Sequence, residues 1–393
     1  MTTSDKLNLI TQNTEEVIGL NELEKMLANE EKLNHYIGFE ISGRIHLGTG
    51  IMSMMKVRDL QEAGADCSIF LADWHAWIND KLGGDKNVIK EVGLGYFKEG
   101  LATCLKLVGG DPKKINFVLG SELYHHNDQY WQAFVEVSKN LTLSRVMKST
   151  TIMGRNQGES MPFAWLLYPP MQVADIFIQG VNLAHAGLDQ RKAHVIAREV
   201  ALKLKHCPLK NKADEIIKPV ALHHHLILGL TKPEPWPITD KENLQEIWSQ
   251  MKMSKSKPDS AVFIDDGEEE IKRKINKAFC PEGEVEFNPI LDWVKYIIFP
   301  NISSLSSRWK LGSRSLSKIT IERPEKYGGD VSYDNYEALE NDFKNKKLYP
   351  TDLKNFVVPW LIEFLRPIRE HFASGKAKEM KEYLEKVQKE NKK

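Results

Sequence analysis

Short apolar segments separated by long stretches of helical spacing constrain the fold of this chain more than any other feature. The segments lie at 36–40, 67–73 and 114–120. Strands that alternate with helices favour a parallel sheet with crossover helices on its faces. The residues up to about Asn34 are predicted to be helical. We therefore expect an α/β domain with a doubly wound parallel sheet, whose ligands bind at the carboxyl ends of the strands.

The composition is that of an ordinary globular protein. The chain has 393 residues, of which 41% are hydrophobic and 27% are charged, and this length is enough for two domains. Lys and Arg total 54, as do Asp and Glu, so overall charge neither indicates nor excludes a nucleic acid partner. The four cysteines form no C-x-x-C pair, which favours free thiols in a reducing compartment. We recognise no signal peptide or membrane-spanning segment and expect a cytoplasmic protein.

The C-terminal third of the chain has a different pattern, in which apolar runs at helical spacing replace the strands. We interpret it as a second, mainly helical domain, so that the two domains cover 1–262 and 263–393. A Ser-rich basic stretch at 301–318 is predicted to be an exposed hairpin or loop. The residues from 376 onward are predicted to form a charged helix or a tail.

The first candidate site is the sequence IHLGTG, between the first strand and the helix that follows it. Gly48 and Gly50 permit close approach of the backbone, and the start of the helix offers unpaired N–H groups to an anion. His46 can donate a hydrogen bond to phosphate. By itself the motif is weak, because Gly–His turns also occur in purely structural roles.

The second candidate site is MKMSKSKPDS, at 251–260. Lysines alternate with serines just before a proline, which makes the segment cationic and rich in hydrogen-bond donors. Such a segment suits the stabilisation of charge that develops on pyrophosphate. A solvated basic loop is the alternative, but the run K-M-S-K-S is a highly specific signature.

Together the two motifs resemble the H-x-G-H and K-M-S-K-S pair of the class I aminoacyl-tRNA synthetases, and they occur in the same order. The resemblance implies a Rossmann-like catalytic domain that binds ATP with Mg²⁺, with a mobile clamp at 252–256. The residues implied in catalysis and ATP binding are His46, Gly48, Thr49, Lys252, Ser254 and Lys255. Thr49 departs from the motif, whose fourth residue is histidine; its hydroxyl can donate one hydrogen bond but cannot carry charge.

A third candidate site lies in LLYPPMQVADIF, where Tyr168, Gln172 and Asp175 are four and three residues apart. Two prolines suit a first helical turn, so the three side chains can face one cavity. Asp175 could be a surface acid, but its apolar neighbours make a buried acid plausible. Further on, Asp189 is interpreted as a helix N-cap, and Gln190 follows it.

These segments resemble the tyrosine pocket of the archaeal and eukaryal tyrosyl-tRNA synthetases, and the similarity extends from about Tyr36 to about Arg369. It implies an enzyme that activates tyrosine with ATP and esterifies it to tRNA(Tyr). Tyr36 and Asp175 would hold the phenol hydroxyl. The residues implied at the amino and carboxylate groups of tyrosine are Tyr168, Gln172 and Gln190.

The resemblance also implies two contacts with tRNA. An unpaired anticodon base would stack on aromatic side chains and be bonded by an aspartate, the usual way of reading single-stranded RNA. The residues at these positions are Tyr327, Tyr349 and Asp352; helix caps and packing aromatics are the alternative. The residues expected at the first base pair of the acceptor stem are Arg191, Lys192 and Lys148.

The family resemblance further implies a homodimer, with a connecting insertion of the catalytic domain at about 109–166 in the interface. Mg²⁺ would arrive with ATP and not in a site built by the protein. A tryptophanyl enzyme is one alternative, but an indole has no hydroxyl for Tyr36 and Asp175. A non-catalytic RNA-binding relative is another, supported only by Thr49.

Two polar clusters receive structural interpretations. The three consecutive histidines at 223–225 cannot all face one ion from a strand, so we assign them core and loop roles and no metal. The acidic run at 265–270 is interpreted as carboxylates at the start of a helix, which the helix dipole favours.

Overall fold

The structure is a computed structural model. It describes residues 1–154, 161–234, 236–238, 247–248, 251–255, 257–305 and 318–391. The strands are β1 (Thr14–Ile18), β2 (Asn34–Glu40), β3 (Asp66–Ala72), β4 (Ile115–Leu119), β5 (Leu183–Gly187), β6 (Val220–His224), β7 (Ile319–Ile321) and β8 (Val331–Tyr333).

The helices of the first two thirds of the chain are α1 (Thr3–Thr11), α2 (Leu20–Ala28), α3 (Ser53–Glu62), α4 (Asp73–Ile78), α5 (Lys86–Val92), α6 (Lys98–Leu107), α7 (Gly120–Tyr124), α8 (Asp128–Lys139), α9 (Leu143–Ser149), α10 (Tyr168–Ile178) and α11 (Arg191–Val200). Those of the last third are α12 (Glu268–Lys277), α13 (Pro289–Trp293), α14 (Phe299–Leu305), α15 (Tyr336–Lys344), α16 (Pro350–His371) and α17 (Gly375–Glu390).

The main sheet has six strands in the order β1-β6-β5-β2-β3-β4. Strands β2 to β6 run parallel to one another. The chain winds outward from β2 in both directions, so the order reverses between β2 and β5. The predicted α/β fold and its three strands are therefore confirmed. Ligands of such sheets bind at this reversal, beyond the carboxyl ends of the strands.

The N-terminal segment was predicted to be helical throughout, and this prediction is wrong. Strand β1 lies between α1 and α2 and pairs antiparallel with β6, so the sheet has one antiparallel edge. The sequence of β1, TEEVI, has no apolar alternation that would indicate a strand. It is stabilised by long-range contacts, since Glu15 and Glu16 accept hydrogen bonds from His225 and His223 at the end of β6, at 2.6 and 2.9 Å.

Gly50, in the turn that leads into α3, is required by packing. A Cβ atom there would lie 2.9 Å from both Cys104 Sγ on α6 and Ile45 Cγ2, closer than side-chain carbons approach other atoms. This glycine therefore brings the start of α3 against α6, whereas the sequence suggested a role at a ligand. Gly64, with φ of +89°, ends the same helical segment, a usual place for glycine.

The C-terminal third is mainly helical, as predicted, with a short β7–β8 hairpin. Helix α14 covers the start of the predicted loop at 301–318, and the part from 306 to 317 lies outside the described residues. The charged terminal segment forms helix α17, and its Lys381 Nζ lies 3.5 Å from Asp265 Oδ2, just before α12. Among the described helices, none is long and apolar enough to cross a membrane.

The acidic run at 265–270 is divided between two environments. The glutamates at 268–270 lie in the first turn of α12, as predicted. Asp265 and Asp266 precede the helix and are buried, so for these two the interpretation is wrong. Arg44 pairs with both, and Lys274 Nζ lies 2.7 Å from Asp266 Oδ2. Buried carboxylates need such partners, and sequence spacing does not show partners that are over 200 residues away.

The three consecutive histidines are all buried and have different partners. His225 lies between Glu15 Oε1 at 2.6 Å and Asp292 Oδ1 at 2.7 Å. Despite burial, the two carboxylates raise the pKa of His225 to about 9. Because Asp292 belongs to α13, the protonated imidazole joins the end of β6 to the helical part of the chain. In the described part of the chain, no group of His, Cys, Asp and Glu is arranged to hold a metal ion.

Candidate active site

A cavity of about 280 Å³ opens at the carboxyl ends of β2 and β5. The predicted site residues that line it are Tyr36, His46, Gly48, Thr49, Tyr168, Gln172, Asp175, Gln190, Lys252 and Lys255. Ser254 is half-buried between two of them, and its backbone N–H donates to Ser260 Oγ at 3.4 Å. Three segments far apart in sequence thus form one site at the reversal of the sheet.

Asp175 lies at the deep end of the cavity and is fully buried. Its Oδ1 accepts a hydrogen bond from Tyr124 Oη at 3.0 Å, whereas its Oδ2 has no hydrogen-bond partner among the described residues. Burial raises the pKa of this carboxyl well above its usual value, and the hydroxyls of Tyr124 and Tyr130 oppose that shift. His75 Nε2 is 3.7 Å from Oδ2, and burial lowers the pKa of His75 to about 3, so that ring is neutral.

Tyr36 lines the same end of the cavity and is 2% exposed. Its hydroxyl lies over Gly38: a Cβ atom there would be 3.2 Å from Tyr36 Oη. Burial, together with the charge of Asp175, raises the pKa of Tyr36, so the phenol keeps its proton. Tyr36 and Asp175 therefore present a hydroxyl and an unpaired carboxyl oxygen to the same space.

Gln172 and Gln190 form the neighbouring wall. Gln172 Nε2 donates to Gln190 Oε1 at 3.3 Å, and Gln190 Nε2 donates to the carbonyl of Ile152 at 3.1 Å. This chain of donors leaves Gln172 Oε1 without a partner among the described residues. Tyr168 is buried on the same helix and packs edge-on against His75, with ring centroids 4.5 Å apart. The wall thus offers a carbonyl-type acceptor to a cationic group.

His46 and Thr49 contact each other across the first motif. The backbone N–H of Thr49 donates to His46 Nδ1 at 3.2 Å, and Thr49 Oγ1 lies 3.2 Å from His46 Nε2. Burial, with Lys255 and Lys252 nearby, lowers the pKa of His46 to about 3. With Nδ1 accepting, the neutral ring carries its proton on Nε2 and donates to the Thr49 hydroxyl. The Thr49 hydroxyl can then donate a hydrogen bond to a ligand.

Lys252 and Asp189 form an ion pair at the edge of the cavity. The interpretation of Asp189 as a helix N-cap is wrong, since α11 begins without a side-chain cap. Asp189 lies in a single 3₁₀ turn before the helix, and its carboxylate faces the clamp lysine instead. Lys252 lowers the pKa of Asp189 against the effect of burial.

Lys255 extends across the mouth of the cavity to the loop after β2. Its Nζ donates to Ser42 Oγ at 2.9 Å and lies 5.0 Å from the centre of the Phe97 ring. Burial lowers the pKa of Lys255 to about 8, against the attraction of Glu40. Glu40 accepts a hydrogen bond from Asn79 Nδ2 at 2.7 Å.

The basic residues predicted to contact the acceptor stem lie together at the start of α11. Lys192 Nζ donates to Thr151 Oγ1 at 2.8 Å and to the carbonyl of Lys148 at 3.2 Å. Arg191 donates hydrogen bonds from Nε and one terminal nitrogen to the Glu16 carboxylate at 2.8–3.0 Å. These cations thus flank the cavity, because Gln190 directly before them lines it.

The predicted anticodon residues lie at one end of the helical part. Tyr327 is 58% and Tyr349 45% exposed, which is unusual for aromatic rings. Arg323 brings their segments together by donating to the carbonyls of Gly329 at 2.9 Å and Lys347 at 2.8 Å. Asp352 accepts from the backbone N–H of Tyr349 at 3.4 Å, so it also serves as the helix cap that the alternative interpretation gave it.

Several residues of the site were not predicted. Tyr124, Glu40 and His224 contact or line the cavity. Glu40 ends a predicted strand, so its position at the carboxyl edge of the sheet could have indicated a role. Tyr124 follows no recognisable motif. His224 belongs to the three consecutive histidines that were assigned core and loop roles, whereas in the structure it lines the cavity.

Comparison with known proteins agrees with this geometry. The sequence model described as "tRNA synthetases class I (W and Y)" matches residues 28–366. A tyrosine–tRNA ligase of Pyrococcus abyssi is 56% identical over 373 residues, 95% of this chain and 96% of the relative. One of Thermococcus sibiricus is 55% identical over 368 residues, 93% and 94% of the two chains.

Among solved structures, the tyrosyl-tRNA synthetase of Pyrococcus horikoshii complexed with L-tyrosine matches with a TM-score of 0.91 and 53% identity. The match covers 98% of this chain and 100% of that one. Since the similarity in sequence and in fold extends over almost the whole length, the chain belongs to the class I tyrosyl-tRNA synthetases, enzymes that use ATP to join tyrosine to its tRNA.

Proposed function

We propose that this cavity carries out the activation step. A carboxylate oxygen of tyrosine attacks the α-phosphorus of ATP bound with Mg²⁺, and the bond to pyrophosphate breaks, which leaves tyrosyl-adenylate. The terminal ribose hydroxyl of tRNA then attacks the carbonyl carbon, and AMP leaves. Since no side chain forms a covalent bond in this scheme, the protein contributes positioning and stabilisation of charge.

The unpaired Oδ2 of buried Asp175 is the observation that carries the proposal. A buried acceptor without a partner is costly, and the phenol hydroxyl of tyrosine supplies the missing donor. Tyr36 completes the contact from the other side. The amino group of the substrate then reaches Gln172 Oε1, the other unpaired acceptor, with Tyr168 and Gln190 beside it.

The ATP phosphates are proposed to lie between the two motifs. Gly48 lets the nucleotide approach the start of the helical segment, and Thr49 donates its hydroxyl, oriented by His46. Lys252 and Lys255, with Ser254 between them, supply positive charge to the leaving pyrophosphate. In this scheme Lys252 leaves Asp189, and Lys255 leaves Ser42, when the phosphates bind.

Amino-acid-dependent ATP–pyrophosphate exchange tests the activation step. We expect exchange with tyrosine, and values of kcat/KM for phenylalanine and tryptophan that are lower by about 10³-fold or more, because neither satisfies Asp175 and Tyr36. The measurement compares the three amino acids at equal ATP concentration. Comparable exchange with tryptophan, or none with any amino acid from a folded protein that binds tRNA, would contradict the proposal.

The anticodon is proposed to stack on Tyr327 and Tyr349, with Asp352 at the base edge. Stacking of a base on an aromatic ring contributes about 1–3 kcal/mol. We therefore expect Tyr349→Ala to raise KM for tRNA about tenfold in aminoacylation and to leave pyrophosphate exchange unchanged. A tRNA with a substituted first anticodon base should erase the difference between the variant and the original protein. Equal KM values with the natural tRNA would contradict this role.

Arg191, Lys192 and Lys148 are proposed to hold the first base pair of the acceptor stem, near the cavity. Their position next to Gln190 supports this proposal, because the end of the acceptor stem must reach the adenylate. We also propose a domain boundary after residue 262 and a cytoplasmic location.

A homodimer is proposed through the insertion at about 109–166, which begins with edge strand β4 and continues with α8 and α9. Large apolar side chains are exposed there: Val135 is 52%, Leu143 64% and Met147 46% exposed. Such surfaces mark interfaces between proteins. We expect a mass of twice 45.0 kDa in light scattering, and a monomer after Val135→Lys with Leu143→Lys. Leu202→Lys is the control, since it is an exposed leucine outside the insertion; a dimer that survives the double variant would contradict this interface.

A further inference from the structure

Three buried histidines form a continuous chain across the sheet. His35 on β2 lies with Nε2 3.2 Å from His185 Nδ1 on β5, and His185 Nε2 lies 2.7 Å from His224 Nδ1 on β6. The strands are neighbours, so the three rings follow each other along one face. Burial lowers the pKa of His35 and of His224 to about 3 and that of His185 well below its usual value. All three rings are therefore neutral.

The row of three histidines ends in the cavity. His224 lines it, and its Nε2 is the nitrogen not used by His185. A Cβ atom at Gly187 would lie 3.6 Å from His224 Nε2 and 2.7 Å from Asp189 Oδ1. His224 Nε2 and the Asp189 carboxylate thus border the same small space above Gly187, which has no side chain to fill it. Lys252 lies on the other side of Asp189.

The direction of the hydrogen bonds between the three rings follows from His35, at the end of the row away from the cavity. His35 Nδ1 is buried and has no partner among the described residues. Each neutral ring donates through one nitrogen and accepts through the other. If His35 donates through Nε2, its unpaired Nδ1 is an acceptor. If His35 instead accepts through Nε2, its unpaired Nδ1 carries the proton. Buried unpaired N–H groups are the rarer case.

The same direction is favoured at the cavity end. When His35 donates to His185 and His185 donates to His224, the proton of His224 is on Nε2, toward Asp189 and the cavity. The opposite direction would turn the Nε2 lone pair toward a carboxylate, which is repulsive. Hydrogen bonds in a row polarise one another, so the two ends support a single arrangement.

We propose that His224 is a further binding residue of the ATP site, which presents its Nε2–H to an oxygen or ring nitrogen of the nucleoside, with His35 and His185 as positioning residues that set its tautomer. The location favours the nucleoside over tyrosine. In the sheet, β5 separates β6 from β2 and β3. Tyr36 on β2 and Phe70 on β3 line the end of the cavity proposed for the phenol, so His224 on β6 lies away from that end. Lys252 of the phosphate clamp is on the same side as His224. The inference rests on the ATP site proposed above.

The tautomers can be measured without any activity. In protein labelled with ¹⁵N-histidine, long-range proton–nitrogen correlation spectra distinguish Nε2–H, Nδ1–H and doubly protonated rings. We expect Nε2–H tautomers for the three chain histidines in the ligand-free protein, with assignment by single substitutions. An Nδ1–H or a charged ring at His224 would overturn the proposal. This result does not depend on whether the ATP site proposed above is correct.

Kinetics test the role of His224. We expect His224→Leu to raise KM for ATP about tenfold in exchange, the effect of one lost hydrogen bond, with KM for tyrosine unchanged. His224→Gln, whose amide can still donate, should recover most of the loss. An unchanged KM for ATP in a folded His224→Leu protein would overturn the proposal, and so would equal values for the two variants.

Variants at His35 test the positioning role, because this residue does not line the cavity. His35→Leu should raise KM for ATP severalfold, and His35→Gln, which can donate to His185, should not. His194→Leu is the control: His194 is equally buried and is paired with His223 at 3.0 Å, so its loss reports on stability alone. If the control raises KM for ATP as much as His35→Leu does, the positioning role is refuted.

Discussion

Lys255→Ala is expected to lower kcat of tyrosine-dependent pyrophosphate exchange by about 10²–10³-fold, the usual effect of removing one group that stabilises transition-state charge. The lysine reaches the mouth of the cavity from the clamp, where its Nζ donates to the neutral hydroxyl of Ser42 and lies over the Phe97 ring. It can therefore move to the phosphates while breaking only a neutral hydrogen bond and a contact with an aromatic ring. Steady-state exchange at saturating ATP and tyrosine measures the change.

Lys257→Ala is the matched control, because Lys257 is two residues away, exposed and of the same type. Its kcat should stay within about twofold of the original value, since exposed charges of this kind contribute little. A similar loss in both variants would show that the whole basic segment acts through its net charge and would contradict a specific role for Lys255.

The pH profile provides a second test of the same lysine. The pKa of Lys255 is about 8 in the free protein, and the charged form is the one that can bind phosphates. The value of kcat/KM for ATP should therefore be constant at lower pH and fall as pH rises through about 8. Lys255→Arg, which remains charged, should remove that fall even if its maximum is lower.

Much of the fold follows from local patterns in the sequence. Strands β2, β3 and β4 are short apolar runs bounded by turns, and the helix of the first motif has a regular apolar face, so each could be recognised alone. Strand β1 could not, since its glutamates become stable in a strand only through histidines about 210 residues away. The buried positions of Asp265 and Asp266 likewise depend on Arg44, over 200 residues away.

The site shows the same division. Its motif residues could be predicted because the reaction requires particular side chains at fixed spacing. The residues that orient them could not: Asp189 turned toward Lys252 instead of capping a helix, and Tyr124 reached Asp175 from a helix 51 residues earlier. These contacts depend on how separate elements pack, which no local spacing records.

Asp175→Ala is expected to lower kcat/KM for tyrosine by about 10²-fold, the loss of a hydrogen bond to a charged or strongly polar partner. The value for phenylalanine should not fall, because it makes no hydrogen bond to this carboxyl. The preference for tyrosine over phenylalanine should therefore decrease by the same factor. Tyrosyl enzymes as a class are the established example of this discrimination. Exchange with each amino acid measures it.

Tyr124→Phe tests how Asp175 is oriented. Tyr124 occupies Oδ1 and leaves Oδ2 for the substrate; without it the carboxyl loses the hydrogen bond that fixes Oδ1 and rotates more freely. We expect about a tenfold loss of kcat/KM for tyrosine, smaller than for Asp175→Ala, because the carboxyl is misoriented but still present. Tyr333→Phe is the control, since Tyr333 is also buried and donates to an aspartate, Asp342, at 3.2 Å outside the cavity. Equal losses in both variants would indicate that Tyr124 only contributes to packing. A loss confined to Tyr124→Phe would show that recognition of tyrosine depends on Tyr124, which contacts Asp175 and not the substrate.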